Sequence, residues 1–148
     1  MNIVITNHSY DTVISGGDVI AAEFAKCWKN SGNVITIATH EAGARFFRSR
    51  GVETSMLAIT PGAASERFGI LIAAIVKTIS AIFQSFSWRG LKPDIVFASS
   101  WMWTDFLPAL FLKMRFPRSK LVVGCYLLLS HPNTKSYGAS TLNRWILW

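Results

Sequence analysis

Four stretches of this 148-residue chain bring together residue types able to hold or transform a ligand. In the first, His8, Ser9, Tyr10 and Asp11 precede Ser15-Gly16-Gly17-Asp18. Two successive glycines let a backbone approach a ligand closely, and a helix that opens behind them offers unpaired N–H groups to a phosphate. A plain structural turn uses the same residues. The spacing is not G-x-G-x-x-G, and no Gly-Lys-Ser/Thr follows, so neither a dinucleotide fingerprint nor a Walker A loop is present. In the second stretch, Ser99, Ser100, Trp101, Trp103 and Asp105 combine hydroxyls, indoles and a carboxylate. Indoles stack on sugar faces while the polar neighbours bond hydroxyls; equally, the tryptophans pack on the next helix and Thr104 or Asp105 caps it. The third centres on His131, in Ser130-His131-Pro132-Asn133, and the fourth on His40. A loop histidine either reaches a substrate or is simply solvated. No Ser-His-Asp order, paired-carboxylate spacing or His/Cys metal cluster stands out.

Such groups act only if a scaffold presents them together. Asn2 to Thr6 reads as a strand. Asp18 is placed to cap a helix whose face holds Ile20, Phe24, Cys27 and Trp28, and which Ser31-Gly32 ends. Val34 to Ala38 is a second strand, Ala42 to Arg50 a short basic helix closed by Gly51, and Glu53 to Ile59 a weaker third strand. From Phe68 to Trp88, the residues Phe68, Leu71, Ile72, Ile75, Ile79, Ile82, Phe83 and Phe86 form a helical stripe, with Lys77, Ser80, Gln84 and Ser87 opposite. Asp94 to Ala98 is a fourth strand, Thr104 to Met114 a helix with Pro108 near its first turn, and Leu121 to Leu127 a fifth strand. Strands without polar alternation, separated by helices, specify an α/β fold, a Rossmann-like doubly wound parallel sheet, as one domain over residues 1–148. In that fold the rim beyond the strand carboxyl ends binds ligands, and residues 7–18, 39–43, 99–105 and 129–140 stand there.

Composition narrows the partners. The chain is 51% hydrophobic and 16% charged, which suits a large buried surface, a membrane-facing surface or a missing partner. Fifteen Lys and Arg against eight Asp and Glu give +7, a balance that attracts anionic headgroups and phosphorylated substrates. No run of Lys or Arg marks a nucleic-acid arm. Cys27 and Cys125 read as buried free thiols, and with no visible signal peptide the expected compartment is the cytoplasm. Lys77 at the centre of the long helix argues against a transmembrane span; burial in a core and shallow contact with a membrane both remain. The chain ends on Trp145-Ile146-Leu147-Trp148, an apolar patch unless that segment folds back on the sheet.

The run Ser15-Gly16-Gly17-Asp18-Val19-Ile20-Ala21-Ala22-Glu23-Phe24-Ala25, the passage Ser31 to Thr39, and the stretch Lys92 to Ser100 continued by Asp105, Pro108-Ala109 and Arg115 to Lys120 together resemble the amino-terminal domain of family 4 glycosyltransferases. The resemblance implies one half of a GT-B fold, whose two Rossmann-like domains enclose the active site. It implies transfer of a sugar from a nucleotide-sugar to an acceptor, with retention and with neither a metal nor a cofactor. Gly16, Gly17 and Asp18 would line the donor phosphate side; His8, Tyr10, Ser99, Trp101 and Asp105 would surround the acceptor, a sugar, polysaccharide or lipid-linked glycan. His131 is the nearest match to the family's sugar-binding histidine. The family's carboxy-terminal donor domain has no place in 148 residues, so this polypeptide alone is expected to be inactive and to partner a donor-binding domain or subunit. An anionic surface on the inner membrane face is a further expected partner, nucleic acid is not. Two other readings compete: a non-catalytic interaction or membrane-associated module, and a nucleotide-binding oxidoreductase domain, which the missing glycine fingerprint disfavours.

Overall fold

A computed structural model of the chain describes residues 1–8, 16–52, 55–59, 70–88 and 90–125. In chain order these form β1 (Asn2–Thr6), α1 (Gly16–Asn30), β2 (Val34–His40), α2 (Glu41–Ser49), β3 (Ser55–Ile59), α3 (Ile70–Ser87), β4 (Ile95–Ala98), α4 (Trp103–Arg115) and β5 (Lys120–Val123). The strands make a five-stranded sheet in the order β3-β2-β1-β4-β5. Every pairing is parallel, with Thr6 beside Ala38 on one side and beside Ala98 on the other. The order reverses between β1 and β4, so the chain is an α/β, Rossmann-like doubly wound domain with its switch point there.

The apolar strands are explained by cover on both faces. Ile3, Ile5, Ile35, Ile37 and Phe97 point to the side of α1 and α2, where Ala21, Ala22, Ala25 and Phe47 complete one core. Val4, Val96 and Ala98 point the other way, onto Ala109 and Leu112 of α4. At the opposite end of the sheet from the switch-point rim, Asp94 accepts the Asn2 N–H at 2.7 Å and joins the entries of β1 and β4.

Two helices meet the sheet differently from the sequence expectation. α1 already runs through Gly16 and Gly17, so Asp18 is a buried residue of its first turn and not its cap. Its sheet-facing side is Ala21, Ala22 and Ala25, small residues that let the helix approach closely. Phe24 and Trp28 are displaced to the flank, where Trp28 meets Phe97 edge-on at 5.2 Å. Cys27 is consequently exposed, as is Cys125, and the expectation of buried thiols fails. The helix ends at Gly32 with φ 80° and α2 at Gly51 with φ 75°, the left-handed conformation glycine supplies. α2 lies hard on β2: a Cβ at Gly43 would overlap the Thr39 Oγ1. Pro108 sits in the second turn of α4, later than anticipated, and lacks the N–H that would meet the Thr104 carbonyl.

The sequence left open whether the apolar stripe of α3 is buried in the core or faces outward, and the structure turns that stripe outward. Lys77, Thr78, Ala81 and Ser85 are buried, whereas Ile72, Ile75, Ile79, Phe83 and Phe86 are exposed. Along β1 and β2 the positions alternating with Ile3, Ile5, Ile35 and Ile37 include Thr6, Thr36 and His40, all buried, so the sheet face on this side is partly polar. A helix covering such a face turns its polar residues inward. Among the described residues, no helix is long and apolar enough to cross a membrane.

Candidate functional site

The carboxyl ends of β1 and β4, side by side at the switch point, carry Asn7-His8 and Ser99-Ser100 into the rim. The ladder continues one residue beyond the strands: the Asn7 N–H bonds the Ala38 carbonyl at 3.0 Å and the Ser99 N–H the Thr6 carbonyl at 2.9 Å. From these fixed points a chain of side-chain hydrogen bonds runs across the rim. Asn7 Nδ2 donates to Asp18 Oδ1 at 2.8 Å and to Ser99 Oγ at 2.9 Å. Ser99 Oγ in turn donates to Asp105 Oδ2 at 2.9 Å, and Ser100 Oγ donates to the same oxygen at 2.5 Å. The other carboxylate oxygen, Oδ1, accepts the His8 backbone N–H at 2.6 Å. Thr6 Oγ1 donates to the Asp105 backbone carbonyl at 2.9 Å, which fixes the first turn of α4 on β1.

Burial sets the electrostatics. Desolvation pushes the Asp105 carboxyl up to about 6, against the stabilising donors Ser100, His8 and Ser99, and the Asp18 charge adds to the rise. It is therefore a carboxylate at neutral pH, held by three donors. His8 moves the opposite way: burial, then electrostatic repulsion from His40 and from Lys77, push its imidazole down to about 3. Continuing the Thr6–Ala38 pairing brings His8 beside His40, and the inward face of α3 sets Lys77 near His8. A neutral imidazole has one donor and one acceptor nitrogen. His8 Nε2 is buried with no hydrogen-bond partner among the described residues, and so is the Asn7 Oδ1. With so low a pKa, His8 is poorly suited to removing a proton.

Of the residues the sequence singles out, His8, Asp18, Ser99 and Asp105 converge in this network. Gly16 and Gly17 open α1 next to it; Gly16 is exposed, Gly17 half-buried, and a Cβ on Gly16 would meet no atom within 4 Å. The glycine turn is thus open to an incoming group. Trp101 is half-buried on the turn between β4 and α4. Tyr10 and His131 lie outside the described residues. Sequence reasoning put Asn7 on the rim because it directly follows a strand, but did not single it out as the hub between Asp18 and Ser99. It also passed over Lys77, whose only signal was a charge on an otherwise apolar helix. No family model and no curated protein matches this chain.

Proposed function

We propose that this domain is the acceptor-side half of a retaining GT-B glycosyltransferase, working on a sugar, polysaccharide or lipid-linked acceptor in the cytoplasm. The observation that supports the reading most is the Asp18–Asn7–Ser99–Asp105 hydrogen-bond chain at the switch point, lying beside a helix amino terminus that is open at Gly16. In this reading the first N–H groups of α1 meet the donor diphosphate, where the helix dipole favours negative charge. His8, neutral and buried, lies beneath the rim and supports it without reaching the acceptor. Asp105 does not touch the sugar; it holds the His8 backbone and the Ser99-Ser100 turn so that the rim keeps its shape. Charge that builds on the departing nucleoside diphosphate is met by a second, donor-binding domain, because preorganised electrostatic stabilisation of a leaving group is the largest catalytic contribution in such transfers.

The test is reconstitution. The chain is combined with a separately produced donor domain and nucleotide-sugar, and transfer to a panel of free and lipid-linked glycosides is followed. Transfer should appear only with both halves and should fall at least roughly tenfold in Gly16→Val, about the effect of a displaced phosphate contact. Full transfer by the Gly16→Val chain would remove the basis of the assignment.

A further inference from the structure

The outward side of α3 is a continuous apolar surface. Phe83 is 69% exposed, Phe86 56% and Ile79 49%, with Ile72 and Ile75 on the same side. α4 extends it: the Phe86 ring meets Phe111 at 4.8 Å, and Leu107 and Met114 are exposed beyond. Lys77 is the one charged residue of α3 and it is buried, so this face, about 27 Å long at the usual helical rise, carries no formal charge.

Its lower end is bordered by cations. The Arg115 guanidinium donates to the Ser85 carbonyl near the end of α3 and lies over the Phe116 ring. From there a cleft of about 370 Å³ opens, lined by Lys92, Asp94, Arg115, Phe116, Arg118 and Ser119. Lys113 and Lys120 stand alongside. Asp94 is the acid among them, and its Oδ2 is already occupied by the Asn2 N–H. Among the described residues, the other exposed acids, Glu23 and Glu41, are on α1 and α2, across the sheet, where they pair with Lys26 and Arg45. Lys92, Arg118 and Lys120, which make no ion pair among the described residues, thus stand beside this apolar surface.

We propose that the outer face of α3 and α4 docks on a membrane surface rich in anionic lipid. Ile79 and Phe83 enter the acyl–headgroup boundary, and the cleft of Lys92, Arg115 and Arg118 receives a phosphate headgroup. An uncharged apolar helix face beside a cationic cleft is complementary to an interface that is apolar in depth and negative at the surface. The inference is independent of the acceptor reading.

The experiment is flotation of the full chain with vesicles of phosphatidylcholine alone and of an equimolar mixture with phosphatidylglycerol. The chain should float roughly tenfold more with the mixed vesicles and be released as salt screens the headgroups. Ile79→Ser/Phe83→Ser, both at exposed positions that leave the core intact, should abolish binding without lowering the unfolding temperature. Lys92→Gln/Arg118→Gln should reduce binding to the level seen with phosphatidylcholine. Equal partition onto both vesicle types, or binding unchanged by Ile79→Ser/Phe83→Ser, would overturn the proposal. So would displacement by millimolar inorganic phosphate, which would make the cleft a free-phosphate site. A dimer that Ile79→Ser/Phe83→Ser dissociates, with no vesicle binding, would overturn it in favour of a self-association surface.

Discussion

The His8 backbone N–H is held by Asp105 Oδ1 at 2.6 Å, a bond that spans 97 residues of sequence and ties the end of β1 to the first turn of α4. Because the same carboxylate accepts the hydroxyls of Ser99 and Ser100, one side chain fixes both strand ends at the switch point. Removing it should therefore be costly. Asp105→Ala leaves three donors facing a cavity, and each unpaired buried donor costs about 1–3 kcal/mol. A loss of at least about 3 kcal/mol in urea unfolding is expected, and a loss under about 1 kcal/mol would mean the network contributes little.

Asp105→Asn separates charge from geometry. The folded carboxyl, raised to about 6, binds its proton more tightly than the unfolded one at 3.8. Its contribution to stability is full below pH 3.8 and is lost as pH rises through 6, a change of about 3 kcal/mol for a shift of roughly two units. The asparagine lacks this titration, so relative to wild type it should gain that amount between pH 4 and pH 7. Urea unfolding across the window reads the difference, and parallel curves would refute the shift.

His8 titrates in the opposite sense. Its folded pKa of about 3 lies below the ordinary 6.5, so its stabilising contribution is present above pH 6.5 and is lost as pH falls towards 3. His8→Gln should unfold at lower pH than wild type in acid titration. Lys77→Met removes one source of electrostatic repulsion, and the His8 imidazole resonances should then titrate at higher pH by NMR.

Gly43 offers a packing test. A Cβ there collides with Thr39 Oγ1, and Thr39 is completely buried. Gly43→Ala should destabilise by about 1–3 kcal/mol, the usual range for overpacking. Thr39→Ala removes the colliding hydroxyl, which has no hydrogen-bond partner among the described residues. The double variant should recover most of the loss in thermal unfolding, and strictly additive losses would count against this contact.

Gly16→Ala probes the open helix start. With no atom within 4 Å of the added Cβ, stability should change by less than about 1 kcal/mol. If α1 meets a donor phosphate, transfer in the reconstituted enzyme should drop while the unfolding temperature stays put.

By itself the sequence determined the strands, the helices and their parallel, doubly wound arrangement. Runs such as Ile3-Val4-Ile5 and Val96-Phe97-Ala98 are apolar at every position, which only a sheet covered on both faces accommodates. Gly32 and Gly51 marked helix ends for the same local reason: their φ is set by the turn and not by distant contacts. Strand-end position also sufficed to put His8, Asp18, Ser99 and Asp105 on one rim. Tertiary structure alone decided what those groups do. Asn7 is bonded to Ser99 across 92 residues, and no local pattern encodes a partner so far along the chain. It also decided the direction of α3. Helical periodicity separates an apolar from a polar side but does not say which meets the sheet. Here the sheet's polar Thr36, His40 and His8 draw Lys77, Thr78 and Ser85 inward and leave Ile79 and Phe83 facing out. The reason is physical: a polar group removed from water must find polar company, and only the assembled sheet supplies it.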